Sequence, residues 1–245
     1  MFKLSKEQQE IVNSKANKII VEAGAGAGKT ATLIARIKHI LEQGVKPSNI
    51  VAITLTNMAA EEMKERLIDI QGIGDCFIGT IHSFANKILK TSNDNYKLFT
   101  KEIQDQFMNV LISLYAKYTT MSDWFQYSEY MKKVETGLMT YDELKYKFPD
   151  SVFYEIQCLL GKAKGFGEFS YKENLKTLCK KHNVITFDEL LEKTTQYFKE
   201  INGKVEYLFV DEFQDIGPLE YNFFKALNAD NYFFVGDEKQ NIYRF

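Results

Sequence analysis

Arginine is scarce: of 31 basic residues only Arg36, Arg66 and Arg244 carry a guanidinium, so any role needing its planar bidentate fork has three candidates. Cysteine is as rare and unpatterned. Cys76, Cys158 and Cys179 are odd in number, far apart and in no C-x-x-C pair, which argues against a disulfide framework or a zinc site and fits a reducing cytoplasm. With three prolines and no low-complexity tract, the composition is that of an ordered chain. No apolar run reaches the roughly 18 residues of a membrane helix, and "MFKLSKEQQEIV" lacks the basic-then-apolar order of a signal peptide. Neither sign of charge is in excess. At a formal net charge of -2, any nucleic-acid contact must come from a local groove and not from a chain-wide positive field.

What the chain does have is enough apolar material, 45% of 245 residues, for a substantial core. Residues 1–90 alternate short apolar runs with longer amphipathic ones: "KIIVEAG", "TATLIARIKHILEQG", "NIVAIT", "MAAEEMKERLIDI", "CFIGTI", "SFANKILK". This is a β-α-β-α order. The runs around Ile20, Val51 and Phe77 are continuously apolar, as expected of parallel strands covered on both faces. From about residue 91 the strand signal fades, and "KEIQDQFMNVLISLYAKY", "DSVFYEIQCLLGKAK" and "FDELLEKTTQYFKE" read as helices. Near residue 206 the first pattern resumes with "EYLFVDE", "LEYNFFKAL" and "NYFFVGD". The expected architecture is an α/β domain at 1–90 and 200–245, interrupted by a helical subdomain at 91–199.

"AGAGAGKT", Ala23 to Thr30, follows a strand and opens a helix, the context of a phosphate-binding loop. Ala23, Gly24, Ala25, Gly26, Ala27 and Gly28 would wrap backbone N–H groups around phosphate oxygens, at a helix N-terminus that favours anions. Lys29 would reach the β and γ phosphates and the Thr30 hydroxyl would ligate Mg²⁺. Ala23 stands where the strict pattern has its first glycine, a change that leaves the backbone nest intact. Triphosphate cleavage also needs charge neutralisation and a positioned water. "YLFVDEFQD" supplies acids for both: Asp211 as the magnesium carboxylate and Glu212 as general base, delivered to the C-terminal edge of the sheet. Acids ending a strand also occur in ordinary turns, so this stretch gains its meaning from the loop. Lys29 and Asp211 are about 180 residues apart, farther than one β-α crossover needs, and the helical block accounts for the distance.

Two glutamines are open to more than one reading. Gln240, after the last strand, either places its amide near the γ-phosphate or caps a helix. Gln8 in "LSKEQQEIV" either pairs with adenine N6 and N7 or is solvated on a polar helix.

Taken in order, the chain resembles the N-terminal portion of the UvrD/Rep family of superfamily 1 DNA helicases. The likeness rests on "LSKEQQEIV", "AGAGAGKT", "VAITLTNMAAEEMKERL", "IGTIHSFANKIL", "FVDEFQD" and "VGDEKQNIYRF", with "ITFDELL" between them. It covers residues 4–90 and 185–245 well and the insertion loosely. The resemblance implies a RecA-like P-loop NTPase domain that binds ATP and Mg²⁺, with single-stranded DNA, or a single/double-strand junction, running across it. Thr56 and Asn57, then Thr80, His82 and Ser83, would meet the phosphate backbone, while Tyr243 and Phe245 would stack on bases of any sequence. For the rings, core packing is an equal alternative, and His82 would otherwise cap its helix.

Two positions depart from the family pattern: Leu55 where a phenylalanine is common, and Ala31 where an arginine is, with Arg36 two turns on. The resemblance also implies a second RecA-like domain, or a partner chain supplying it, that carries arginine fingers. Without such a finger, which supplies on the order of 10³ to 10⁵ in rate, this chain alone is expected to turn over ATP slowly or not at all. The leading expectation is the ATP-binding part of a cytoplasmic DNA helicase or translocase moving 3′ to 5′. The rival is a non-catalytic, ATP-dependent module that grips DNA or a partner; a small-molecule P-loop kinase would need an arginine-rich lid, which is missing here.

Overall fold

Apolar periodicity sets the elements of this chain, and side-chain caps set where several of them begin. A computed structural model describes residues 4–24, 26–92, 94–160, 162 and 171–237. Strands β1 (Lys18–Glu22), β2 (Ile50–Thr54) and β3 (Phe77–Thr80) alternate with helices α1 (Lys6–Asn13), α2 (Lys29–Glu42), α3 (Asn57–Leu67) and α4 (Ile81–Leu89). Then come β4 (Lys97–Leu98), α5 (Lys101–Tyr115), α6 (Met121–Glu135), α7 (Tyr141–Lys145), α8 (Asp150–Leu159), α9 (Tyr171–His182) and β5 (Val184–Ile185). Helix α10 (Phe187–Glu200), β6 (Tyr207–Val210), α11 (Pro218–Ala226) and β7 (Asn231–Gly236) complete the order. Contacts divide the chain into two compact units, 1–94 with 187–245, and 95–186.

The first unit is built on a parallel five-stranded sheet, β1-β7-β6-β2-β3. Helix α2 buries Leu33, Ile34, Ile37 and Ile40, one stripe at helical spacing, in a core that also takes Ile50, Ala52, Phe209, Phe233 and Val235 from the strands. Strand β2 is buried throughout, as a parallel strand covered on both faces should be. Strand β1 is not. It is the sheet edge, and the period of two sends Ile19 and Val21 toward the core while Ile20 stays 70% exposed. Unbroken apolarity had suggested a strand covered on both sides, which the edge position denies it.

Helix α10 lies in this unit, although its sequence pattern placed it with the insertion. It buries Leu190, Leu191, Thr194 and Phe198, and the Thr194 hydroxyl sits 3.3 Å from the Ala85 carbonyl of α4. The apolar stripe alone could not say which neighbour covers it.

The second unit is helical around Met108, Leu111, Trp124, Tyr127, Phe153, Ile156 and Leu159, with β4 and β5 paired as a short parallel ribbon. Its connection between α5 and α6 depends on one carboxylate. Buried Glu155 accepts from the backbone N–H groups of Lys117, Tyr118 and Thr119 at 2.9, 2.9 and 2.8 Å. Burial works to raise its pKa, but the amides of Tyr118, Lys117 and Thr119 outweigh it and hold the carboxyl below the usual glutamate range. A depressed folded pKa contributes stability above the unfolded value, near 4.3, and that contribution is lost as pH falls through the folded value. Glu155→Leu strands three donors and should destabilise this unit by about 3 kcal/mol or more. Thermal unfolding followed from neutral to acid pH should show the wild-type advantage over the variant shrinking below about pH 4; a gap that stays constant would remove the carboxylate from this role.

No helix among the described residues is long and apolar enough to cross a membrane, and all three cysteines are free thiols.

Candidate nucleotide site and nucleic-acid interface

Strand order brings the separated motifs together. The chain leaves β1 into the Gly-rich loop, leaves β6 into Asp211, and leaves β7 after Gly236 into Asp237; β7 lies between the other two. All three ends open on the C-terminal edge of one parallel sheet, where such sheets bind ligands.

The loop closes on itself and on β7. Ala23 N–H donates to the Gly236 carbonyl at 3.1 Å and Ala27 N–H to the Gly24 carbonyl at 3.2 Å. Gly26 and Gly28 are left-handed, at φ +73° and +80°, a conformation that any Cβ would strain. At Gly28 a Cβ would also stand 2.8 Å from the Gln8 amide nitrogen. Helix α2 starts directly after, with no side-chain cap on its first N–H groups, which is the arrangement an anion completes.

Lys29 is 8% exposed, with its Nζ 4.0 Å from Glu212 Oε2. The Thr30 hydroxyl donates to Asp211 Oδ2 at 2.8 Å across 181 positions of sequence. Asp211 is buried, and its N–H donates to the Ile53 carbonyl at 2.9 Å, extending the β6–β2 ladder by one bond. Burial pushes the Asp211 carboxyl up from its ordinary value; the Thr30 bond opposes this, Glu212 adds to it, and the Glu212 N–H and Lys29 oppose it. A hydroxyl and a dry carboxylate touching one another are hard oxygen donors of the kind Mg²⁺ takes, the rest of its shell being water and phosphate oxygen. Among the described residues no group of three or more His, Cys, Asp or Glu could hold a metal. Thr30 and Asp211 therefore fit a magnesium held jointly with phosphates and do not fit an all-protein cage.

Glu212 has a left-handed backbone, φ +54° and ψ +47°, with its N–H donating to Asp211 Oδ1 at 3.0 Å. Among the described residues the other non-glycine positions with positive φ are Asn183, Asn202 and Asn228, of the residue type that accepts this region readily. A glutamate does not, and strain of this kind gathers at functional sites.

Gln8 lies against the loop with both ends of its amide engaged. Its Nε2 donates to the Ala27 carbonyl at 3.1 Å and its Oε1 accepts from Ser5 N–H at 2.9 Å, half of a capping box on α1. An adenine edge would have to displace these bonds. Arg36 is spent elsewhere, donating to the Val12 carbonyl at the end of α1.

The residues expected to meet DNA stand on the same rim, at the neighbouring junctions of β2 with α3 and β3 with α4, where the last strand residues Thr54 and Thr80 are in register. Thr56 caps α3 by accepting from Ala59 N–H at 3.1 Å, and Leu55, Thr56, Asn57 and Met58 are exposed. Thr80 caps α4 by accepting from Ser83 N–H, and its hydroxyl lies 2.8 Å from Ser83 Oγ. The cap on α4 is thus Thr80 and not His82. His82 is half-buried with its ring edge-on to Phe187 at 5.1 Å. Burial lowers its pKa against the pull of Glu220 and Asp188, which disfavours the charged imidazolium. Ala25, Gln240, Tyr243 and Phe245 lie outside the described residues.

A protein-family model described as "UvrD/REP helicase N-terminal domain" matches residues 4–245. The chain belongs to that family. A relative named ATP-dependent DNA helicase Rep, from Buchnera aphidicola subsp. Schizaphis graminum, is 30% identical over 253 residues, covering 96% of this chain and 36% of the relative. One named ATP-dependent DNA helicase PcrA, from Bacillus subtilis, is 31% identical over 270 residues, covering 99% and 34%. A third, named probable DNA helicase II homolog, from Mycoplasma capricolum, is 30% identical and is covered to 35%. The chain spans about a third of the length of these relatives. As a UvrD/REP helicase N-terminal domain it has the mixed α/β fold with the parallel sheet that this family implies.

One further side chain, which carries no motif role in the sequence, belongs to this cluster. Gln214, inside the quoted stretch "FVDEFQD", bonds both to Glu212 and to the end of β7. Its only signal in sequence was its place three residues after Asp211.

Proposed function

We propose that this chain is the ATP- and Mg²⁺-binding part of a DNA helicase or translocase that works 3′ to 5′ on single-stranded DNA or at a junction with duplex, in the cytoplasm. The observation that carries the reading is the Thr30–Asp211 hydrogen bond, which joins the phosphate loop to the acidic strand end. Triphosphate would lie on the N–H groups at the start of α2, and Lys29 would leave Glu212 for the β and γ phosphates. Glu212 would then accept the proton of the attacking water. Thr30 and Asp211 would hold Mg²⁺, whose contribution is to neutralise charge on the phosphates. The strand-to-helix junctions bearing Thr56, Asn57, Thr80, His82 and Ser83 would track the DNA backbone, and Tyr243 and Phe245 would stack on bases. A second RecA-like domain, in the same chain or a partner, would close the cleft and supply arginine.

Binding to single-stranded DNA tests the nucleic-acid half of this reading. Replacing Tyr243 and Phe245 together by alanine should weaken binding at every sequence by about 1–3 kcal/mol per lost stack, measured by fluorescence anisotropy with two unrelated oligonucleotides. No loss would return both rings to a packing role.

A further inference from the structure

Gln214 uses both ends of its amide to tie two parts of the site together. Oε1 accepts from the Asp237 N–H at 2.9 Å, and Nε2 donates to Glu212 Oε2 at 2.8 Å, with Asp215 Oδ2 at 3.2 Å. The side chain thus spans from the turn after β6 to the end of β7, 23 positions apart in sequence. Gly236 leaves it room: a Cβ there would stand 2.7 Å from Gln214 Oε1 and 3.3 Å from Gln214 N.

The bond matters because of which oxygen it holds. Glu212 Oε2 is the atom that also faces Lys29 at 4.0 Å. Once a triphosphate draws Lys29 away, Gln214 is the described neighbour still holding that oxygen, which leaves Oε1 as the acceptor directed elsewhere. A half-exposed glutamate without this hold would sample several rotamers, and a base misplaced by about 1 Å loses on the order of 10² in rate.

We propose that Gln214 is a positioning residue for turnover: it orients the Glu212 carboxylate and couples that orientation to the backbone at the end of β7. The inference rests on Glu212 being the base. Movement of the Asp237 amide would turn the Gln214 amide and with it Glu212, so the segment that follows β7 reports to the reacting water through one side chain.

Two variants separate the two ends. Gln214→Glu keeps an acceptor for the Asp237 N–H but meets Glu212 with an acceptor, whereas Gln214→Met keeps the length and loses both bonds. In the full-length protein saturated with single-stranded DNA, both should lower kcat by about tenfold or more while KM for ATP stays within about threefold. Amide exchange on this chain, with no nucleotide present, should show Asp237 deprotected in Gln214→Met and protected in Gln214→Glu. A kcat for Gln214→Glu within about threefold of wild type, or a fall in ATP affinity that matches the fall in kcat, overturns the proposal. Glu212→Gln serves as the control: turnover by that variant removes the base and the inference together, while an inert Glu212→Gln beside an active Gln214→Glu rejects Gln214 alone.

Discussion

Lys29→Ala is expected to abolish useful ATP affinity while the fold survives. Lys29 is buried at the first turn of α2, directly after the left-handed Gly28, and faces Glu212 with Asp211 close by. Without it a triphosphate would meet two carboxylates and no ammonium. Truncating one member of a dry charge pair costs about 2–5 kcal/mol, which corresponds to roughly 30- to 5,000-fold in dissociation constant. Titration with a fluorescent ATP analogue and Mg²⁺ measures it directly, and circular dichroism checks the fold. Affinity equal to wild type would end the assignment of Ala23 to Thr30 as a phosphate loop.

Glu212→Gln should leave nucleotide binding nearly intact and cut turnover by about 10² to 10⁴ in the full-length protein. The substitution keeps shape and removes the proton acceptor, so a loss confined to kcat identifies the base. Backbone geometry adds a second readout. Because Glu212 is held left-handed at φ +54°, Glu212→Gly should be as inactive and yet more stable, by up to about 1 kcal/mol, through relief of that strain. Denaturant unfolding measures the gain. Retained turnover in Glu212→Gln, or a glycine variant that loses stability, would mean that the strained position is not kept for catalysis.

Much of the proposed nucleotide site was legible because its signals are local. A loop that must wrap a phosphate needs residues without bulky side chains, two of them in left-handed backbone, followed at once by a helix; "AGAGAGKT" after "KIIVE" states all of this within a dozen or so residues. Asp211 and Glu212 were readable because four apolar residues of a strand end at them. Thr56 and Thr80 were legible as strand-to-helix junctions, though not that both spend their hydroxyls as caps. The helix Phe187–Glu200 was legible as amphipathic, but its placement beside α4 depended on which surface covers Leu190 and Thr194. Ile20 misled for a similar reason, since an apolar residue reads the same in an edge strand as in a central one.

By itself, then, the sequence determined the strands and helices of the first unit, the glycine-rich turn and the acidic strand end, because each depends on steric and hydrogen-bonding preferences within a few residues; the helices Met121–Glu135, Tyr141–Lys145 and Tyr171–His182 and the short strands β4 and β5 were not read from it. Tertiary structure alone decided that β7 lies between β1 and β6, and so that Thr30 meets Asp211 and that Gln214 reaches the Asp237 amide. An amide such as that of Gln214 has no preferred partner until strand pairing sets Val210 beside Phe234. The physical reason is range: strand order and register come from the burial of whole faces against one another, a property that no short window of residues contains.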